Sequence, residues 1–166
     1  MKLFIGFYII LIIQRVSELI LAKRNELFSR KQGAIEYDKS GYYIIVIMHT
    51  AFFLSLLAEY TFLNRSTNSY SFYLLTIFIV AQFLRYWAIS SLGRSWNTKI
   101  LVIPGSAAIS KGPYRYLKHP NYLVVTIEIA VIPLIFSCYI TSIIFSILNW
   151  LVLRRRIKIE EKALHL

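Results

Sequence analysis

The chain has 166 residues, 57% of them apolar and only 16% charged, and its mean hydropathy is +0.58. An ordinary soluble domain carries about a quarter charged residues, so this composition argues against one and for an integral membrane protein of a single domain. The net charge of +11 is then read as an orientation signal rather than a nucleic-acid surface. The lone cysteine, Cys138, allows no internal disulfide and suggests no metal site.

Five apolar stretches approach the ~20 residues that cross a hydrocarbon core of ~30 Å. They are Leu3–Ala22, Tyr42–Leu63, Tyr70–Leu92, Asn121–Ser137 and Tyr139–Leu153. The first carries Gln14, Arg15 and Glu18, unlike the short apolar region of a signal peptide, so no cleavable signal is expected. The second carries His49 and, near its far end, Glu59, which reads as interfacial. The third carries Gln82 and Arg85. The last two are short, and the few residues between them read as a tight helical hairpin. Phe52, Phe53, Phe72, Tyr73, Phe78 and Trp87 read as packing or lipid-facing residues. The expected fold is all-α: an integral membrane bundle of five transmembrane helices with a C-terminal cytoplasmic helix.

Charge sets the expected orientation. Lys23, Arg24, Arg30, Lys31 and Lys39 lie in the first connection, and Arg94, Lys99, Lys111, Arg115 and Lys118 in the third. Arg154, Arg155, Arg156, Lys158 and Lys162 lie in the tail. Five spans put all of these on one side, and the positive-inside rule makes that side cytoplasmic and the N-terminus external.

Ionisable groups inside a span are costly and tend to face the bundle interior. At ~1.5 Å per residue, Glu18, His49, Arg85 and Glu128 all sit roughly 6–11 Å below the cytoplasmic ends of their helices. Gln14 and Gln82 lie a turn or less deeper. Opposite charges at one depth on separate helices suggest a shared polar pocket. A structural reading stands beside it: Arg15 and Glu18, three apart on one helix, can pair with each other, and Arg85 can snorkel to the headgroups.

The stretch "KGPYRYLKHPNY", Lys111 to Tyr122, lies between the third and fourth spans. Gly112 accepts backbone angles that other residues avoid, and Pro113 fixes the next one. His119-Pro120 ends any helix arriving from the loop, and Pro120 suits the first turn of the fourth span. His119 and Tyr122 are thereby held at a helix N-terminus, which favours negative charge. In the tail, "RRRIKIEEKALHL", Arg156 and Glu160 share a helix face. Glu160 and Glu161 offer acceptors for ribose hydroxyls or an ammonium group. The alternative for the tail is a solvated helix lying along the membrane.

The pattern "GPYRYLKHPNY", one hairpin, then "RIKIEE" resembles the isoprenylcysteine carboxyl methyltransferase family, membrane enzymes that use S-adenosylmethionine. The family hallmark is Arg-His-Pro-x-Tyr followed by Glu-Glu. Here His119, Pro120 and Tyr122 match, Lys118 stands in place of the arginine, and Glu160-Glu161 match the acidic pair. "LRYWAISSLGRSWNTK" is similar to the preceding helix of the family, whose arginine near the substrate's acidic group corresponds to Arg85. The N-terminal "QRVSELILAKRNE", "GAIE" and "MHTAFF" resemble a bacterial subfamily found with type III polyketide synthases and similar to alkylpyrone O-methyltransferases. Two departures stand out. Lys118 offers a point charge where the family has a planar fork, and the chain ends soon after the acidic pair, which shortens the expected cofactor lid.

The resemblance implies S-adenosylmethionine as cofactor, held by Lys111, Gly112, Pro113, Tyr114, Lys118, His119, Pro120, Tyr122, Arg156, Glu160 and Glu161. It implies Arg85 as a catalytic residue; Glu128 and Asn97 are expected to act with it, and depth in the spans makes Glu18, His49 and Gln82 the expected walls of the substrate pocket. The expected function is O-methyl transfer to a lipophilic acidic acceptor, a prenylcysteine-like carboxylate or a long-chain alkylpyrone hydroxyl, in a bacterial cell membrane. Arg85 would hold the anion, with Glu128 orienting Arg85 or taking a proton. The competing expectations are a phospholipid or amine N-methyltransferase, which has no use for a cationic anchor, and a transporter, for which no internal repeat is visible.

Overall fold

The computed structural model describes residues 1–106 and 109–164. In chain order the elements are α1 (Lys2–Lys31), β1 (Ile35–Tyr37), α2 (Lys39–Phe62), α3 (Ser71–Leu92), β2 (Ile100–Val102), α4 (Pro120–Ile135) and α5 (Tyr139–Ala163). Short 3-10 turns follow α3 and precede α4. The result is an all-α membrane bundle with one small antiparallel ribbon.

By length and apolarity α1, α2 and α3 can each cross a membrane. Helix α4 has 16 residues, roughly 24 Å at ~1.5 Å per residue, shorter than the ~30 Å hydrocarbon core. Helix α5 corrects the expectation of a separate C-terminal helix, because it runs unbroken from the apolar Tyr139 to the charged Ala163 end. Hydropathy stops near Leu153, but nothing stops the helix there: the next residues lack Gly and Pro and are mostly good helix formers. Helix α1 outruns its apolar stretch for the same reason and continues to Lys31.

Three helix ends use one device. Gly33, Asn64 and Ser137 each take a positive φ just past a helix, and the amide of the following residue bonds five residues back: Ala34 to Ser29, Arg65 to Tyr60 and Cys138 to Pro133. This Schellman closure satisfies carbonyls that the helix leaves open.

The end of the bundle remote from the ribbon is aromatic. Phe4 stacks on Tyr60 at 3.7 Å between ring centroids and meets Phe136 edge-on at 5.0 Å. Leu11, Phe52, Leu56, Phe78 and Ile132 fill the layer above. Phe72, Tyr73 and Trp87 face outward, whereas Phe52 and Phe78 are buried.

Glu59, expected as interfacial at the far end of its span, also has a structural task. It is buried, and it accepts from the backbone amides of Ile140 at 3.2 Å and Thr141 at 2.7 Å, with Arg65 paired to it at 3.1 Å. A carboxylate from α2 thus caps the open N–H groups of α5.

At the opposite end β1 pairs with β2, Ile35 opposite Val102 and Tyr37 opposite Ile100. The first and third connections therefore lie together. Strands of three residues leave no alternation long enough to detect, so the ribbon is absent from the sequence reading.

Candidate active site

The loop after α3 is fastened to the polar end of α1. Asn25 Nδ2 donates to the carbonyls of Gly93 and Trp96 at 3.2 and 2.8 Å. Glu26 accepts from Lys99 at 2.9 Å and Arg30 at 2.9 Å, and Glu36 pairs with Arg30 and Lys99. Burial by itself would raise the Glu26 carboxyl, but the bonds from Lys99 and Arg30 outweigh it and hold the group at about 2. The same bond to Glu26 raises the Lys99 ammonium above its ordinary value. These ties fix the backbone on either side of Asn97 and Thr98.

The basic stretch enters as a 3-10 turn, Gly112–Arg115, with Pro113 buried. Gly112 has φ +55 and leaves no room for a side chain, because a Cβ there would lie 1.9 Å from Ser91 Oγ. The chain then reaches His119 and turns into α4 at Pro120. The His119 and Tyr122 rings stack at 5.3 Å. The distal half of α5 comes back to them. Tyr122 Oη donates to Glu160 and accepts from Arg156 Nε at 2.8 Å. His119 lies 3.8 Å from Glu160 and 3.4 Å from Glu161, and Lys118 lies 3.7 Å from Glu161. Arg156 also donates to the Thr98 carbonyl at 2.6 Å, which joins α5 to the loop that α1 holds. The Tyr114 hydroxyl accepts from Asn121 Nδ2 at 3.2 Å, and its pKa is raised by burial and then by the charge of Glu160.

Deeper in the bundle, Arg15 and Glu18 of α1, Arg85 of α3 and Glu128 of α4 form one ionic cluster. Arg85 pairs with Glu18 at 2.9 Å and with Glu128. Arg15 pairs with Glu18 at 2.8 Å and with Glu128. Gln82 donates to Glu128 at 2.6 Å, and Gln14 donates to Glu18 and Gln82 at 2.9 and 2.7 Å. Each carboxylate is shared by two guanidinium groups, so the cluster has no net charge. Arg15 is the more open cation, its side chain 21% exposed against 5% for Arg85.

A cavity of about 380 Å³ connects the two regions. Tyr114, His119, Tyr122, Arg156 and Glu160 line its polar part, and Arg15, Glu18, His49 and Arg85 line its part inside the bundle. Apolar residues of α1 and α2, among them Ile12, Val16, Val46 and Phe53, complete the wall. Several wall residues hold a buried polar atom without a partner among the described residues: Trp96 Nε1, Asn97 Oδ1, Asn149 Oδ1, Arg156 Nη1 and Arg85 Nε. Buried polar atoms are normally satisfied, so this concentration of unpaired donors and acceptors suits a ligand that carries both.

The isoprenylcysteine carboxyl methyltransferase family profile matches residues 74–166, more than half of the chain. The chain belongs to this family. Its matched region holds α4, α5 and both halves of the His119–Glu160 contact. Among its relatives is the uncharacterized protein YpbQ of Bacillus subtilis, 48% identical over 93% of this chain and 92% of that protein. An uncharacterized protein of Haemophilus influenzae is 32% identical over 90% of this chain and 88% of its own length. No solved structure matches the chain. The family is one of membrane methyltransferases, which in general use S-adenosylmethionine.

For a member of the isoprenylcysteine carboxyl methyltransferase family, the residues singled out in sequence fall into three groups. Glu18, His49, Arg85, Asn97, Tyr114, Lys118, His119, Pro120, Tyr122, Arg156 and Glu160 line the cavity. Glu128 and Gln82 stand behind that wall, bonded to the residues that form it. Lys111, Gly112, Pro113 and Glu161 are not in the lining; Pro113 and Gly112 shape the turn, and Glu161 touches Lys118 and His119. The sequence reading missed Trp96, Thr98 and Asn149. Asn149 alone left a signal, being an amide within an apolar run.

Proposed function

We propose that the protein transfers a methyl group from S-adenosylmethionine to an oxygen of a lipophilic acidic acceptor. One observation carries the reading: a single cavity runs from the His119–Tyr122–Arg156–Glu160 wall to the Arg15–Glu18–Arg85 cluster inside the bundle. A polar cofactor and a membrane-dissolved acceptor need such a meeting place. The unpaired Asn97 and Asn149 oxygens and the Arg156 and Trp96 nitrogens match a cofactor that carries an amine, a carboxylate and a nucleoside.

When bound, S-adenosylmethionine supplies an electrophilic methyl group and a neutral leaving sulfur. His119, Tyr122, Arg156 and Glu160 would hold it, with Lys118 in place of the family arginine. Arg15 and Arg85 would steady the acceptor oxygen, and Glu18 and Glu128 fix both guanidinium planes. Held in this way, the reacting atoms gain mainly from positioning. The acceptor's chain would lie against the apolar residues of α1 and α2 that line the cavity. The polar end would face the cytoplasm of a bacterial cell, where the cofactor is made, with the N-terminus outside.

The test uses purified protein in detergent. Titration calorimetry should show S-adenosylhomocysteine binding, and labelled S-adenosylmethionine with a lipid extract should yield a methylated lipophilic product. Absence of both binding and transfer overturns the reading.

A further inference from the structure

Resting on the methyltransferase reading, we infer that His49 is the general base of the reaction and that the acceptor is therefore a neutral hydroxyl rather than a carboxylate. Two observations lead there. The first is the charge of the cluster at the inner end of the cavity. Arg15 and Arg85 are both taken up by Glu18 and Glu128. Until the cofactor's sulfonium is in place, a carboxylate beside them would add a charge that this cluster does not balance, which is costly in a low-dielectric site. A hydroxyl enters without that cost, but it must lose its proton as it is methylated.

The second is the state of the imidazole. His49 Nδ1 lies 2.9 Å from the Ile45 carbonyl oxygen, one turn back on α2. A carbonyl can only accept, so Nδ1 carries the proton, and in the neutral ring Nε2 is left with a lone pair. Nε2 has no hydrogen-bond partner among the described residues, and the residue lines the cavity. The charged groups around it are Arg15 on α1, Arg85 on α3 and Glu128 on α4. Glu18, the other carboxylate at this level, is held between Arg15 and Arg85. The remaining bases of the wall are engaged too: Glu160 with Tyr122, and His119 with Glu160 and Glu161.

In the step, the acceptor O–H bond breaks and its proton moves to His49 Nε2. The same oxygen forms its bond to the methyl carbon, and the electron pair of the broken carbon–sulfur bond stays on sulfur. The imidazolium then returns its proton to water through the polar mouth.

The experiment compares wild type, His49→Ala and His49→Gln, with S-adenosylhomocysteine affinity as the control for folding and for the cofactor site. Binding is read with 3-pentadecylphenol and its methyl ether, without cofactor. Wild type should prefer the phenol about tenfold or more, and His49→Ala should lose that preference. With S-adenosylmethionine, wild type should methylate the phenol in preference to palmitic acid. Both variants should be slower by about 10²-fold or more, the range general bases contribute, and added imidazole should partly restore His49→Ala. Equal binding of phenol and ether by wild type, faster methylation of palmitic acid, or wild-type rates in both variants would overturn the inference while leaving the methyltransferase reading intact. If wild type fails to bind S-adenosylhomocysteine, both fall together.

Discussion

The Tyr122 hydroxyl donates to the Glu160 carboxylate and so joins the first turn of α4 to the last turns of α5. Its oxygen also accepts from Arg156 Nε at 2.8 Å. One phenol therefore holds an acid and a base from the same face of α5, one helical turn apart. Helices α4 and α5 form a hairpin closed at one end by Ser137 and Cys138 and at the other by this contact.

Removing the hydroxyl should release both partners into the cavity wall. Tyr122→Phe is expected to weaken S-adenosylhomocysteine binding about tenfold or more, on the order of 1.4 kcal/mol, with helicity unchanged. His119→Ala and Glu160→Ala should do the same. Calorimetry showing wild-type affinity in all three folded variants would remove the cofactor assignment from this wall.

The Glu26 carboxyl gives a pH test of the loop anchor. Its folded-state value is about 2, below the ordinary 4.5. A depressed carboxylate contributes stability that is complete above the unfolded value and is lost as pH falls through the folded one. Thermal midpoints in detergent should therefore fall between about pH 4.5 and pH 2 in wild type. Glu26→Gln should be less stable at neutral pH and flatter across that window. A parallel decline in the two proteins would mean that Glu26 does not carry the acid sensitivity.

Much of this arrangement was legible in the sequence, because membrane physics makes polar residues conspicuous. Gln14, Arg15, Glu18, Gln82, Arg85 and Glu128 stood out within apolar runs, and the structure brings all of them into one hydrogen-bonded group. Depth along each helix could be counted, but helix rotation could not. Whether Arg85 faced lipid, a neighbour or open space depended on packing, and it proves to be shared between two carboxylates. The loop residues were harder. Trp96 and Thr98 reach the cavity because Asn25 and Arg156 hold the loop backbone and Glu26 holds the Lys99 side chain, contacts that join residues far apart in the chain. The capping task of Glu59 is invisible in sequence because its partners are backbone amides of another helix, which have no sequence signature.

That cap makes its own prediction. Glu59→Ala removes the acceptor for Ile140 and Thr141 and leaves Arg65 without its carboxylate. Loss of a cap costs about 0.5–2 kcal/mol. Thermal unfolding in detergent should show the loss, while S-adenosylhomocysteine affinity should stay at the wild-type value, because the site is at the other end of the bundle. A selective loss of affinity in a stable Glu59→Ala variant would contradict this.

The ionic cluster should respond to charge balance rather than to the loss of any single contact. Arg85→Ala leaves Glu18 and Glu128 with Arg15 as their shared guanidinium partner, a buried net negative charge. Breaking a buried pair in this way costs about 3–5 kcal/mol. Glu128→Met leaves the opposite imbalance and should be comparably destabilised. The double variant Arg85→Met with Glu128→Met removes one charge of each sign and keeps apolar volume between α3 and α4. It should be more stable than either single loss suggests, with a coupling of about 0.5–3 kcal/mol, as for residues in one network. Activity should not follow stability: the double variant is expected to fold, to bind S-adenosylhomocysteine and to transfer no methyl group, because Arg15 alone cannot keep the geometry. Arg85→Lys should recover stability better than activity, since an ammonium keeps the charge but not the planar fork that reaches Glu18 and Glu128 together. Additive losses in the double variant, or methyl transfer at the wild-type rate by it, would show that the four residues do not act as a unit.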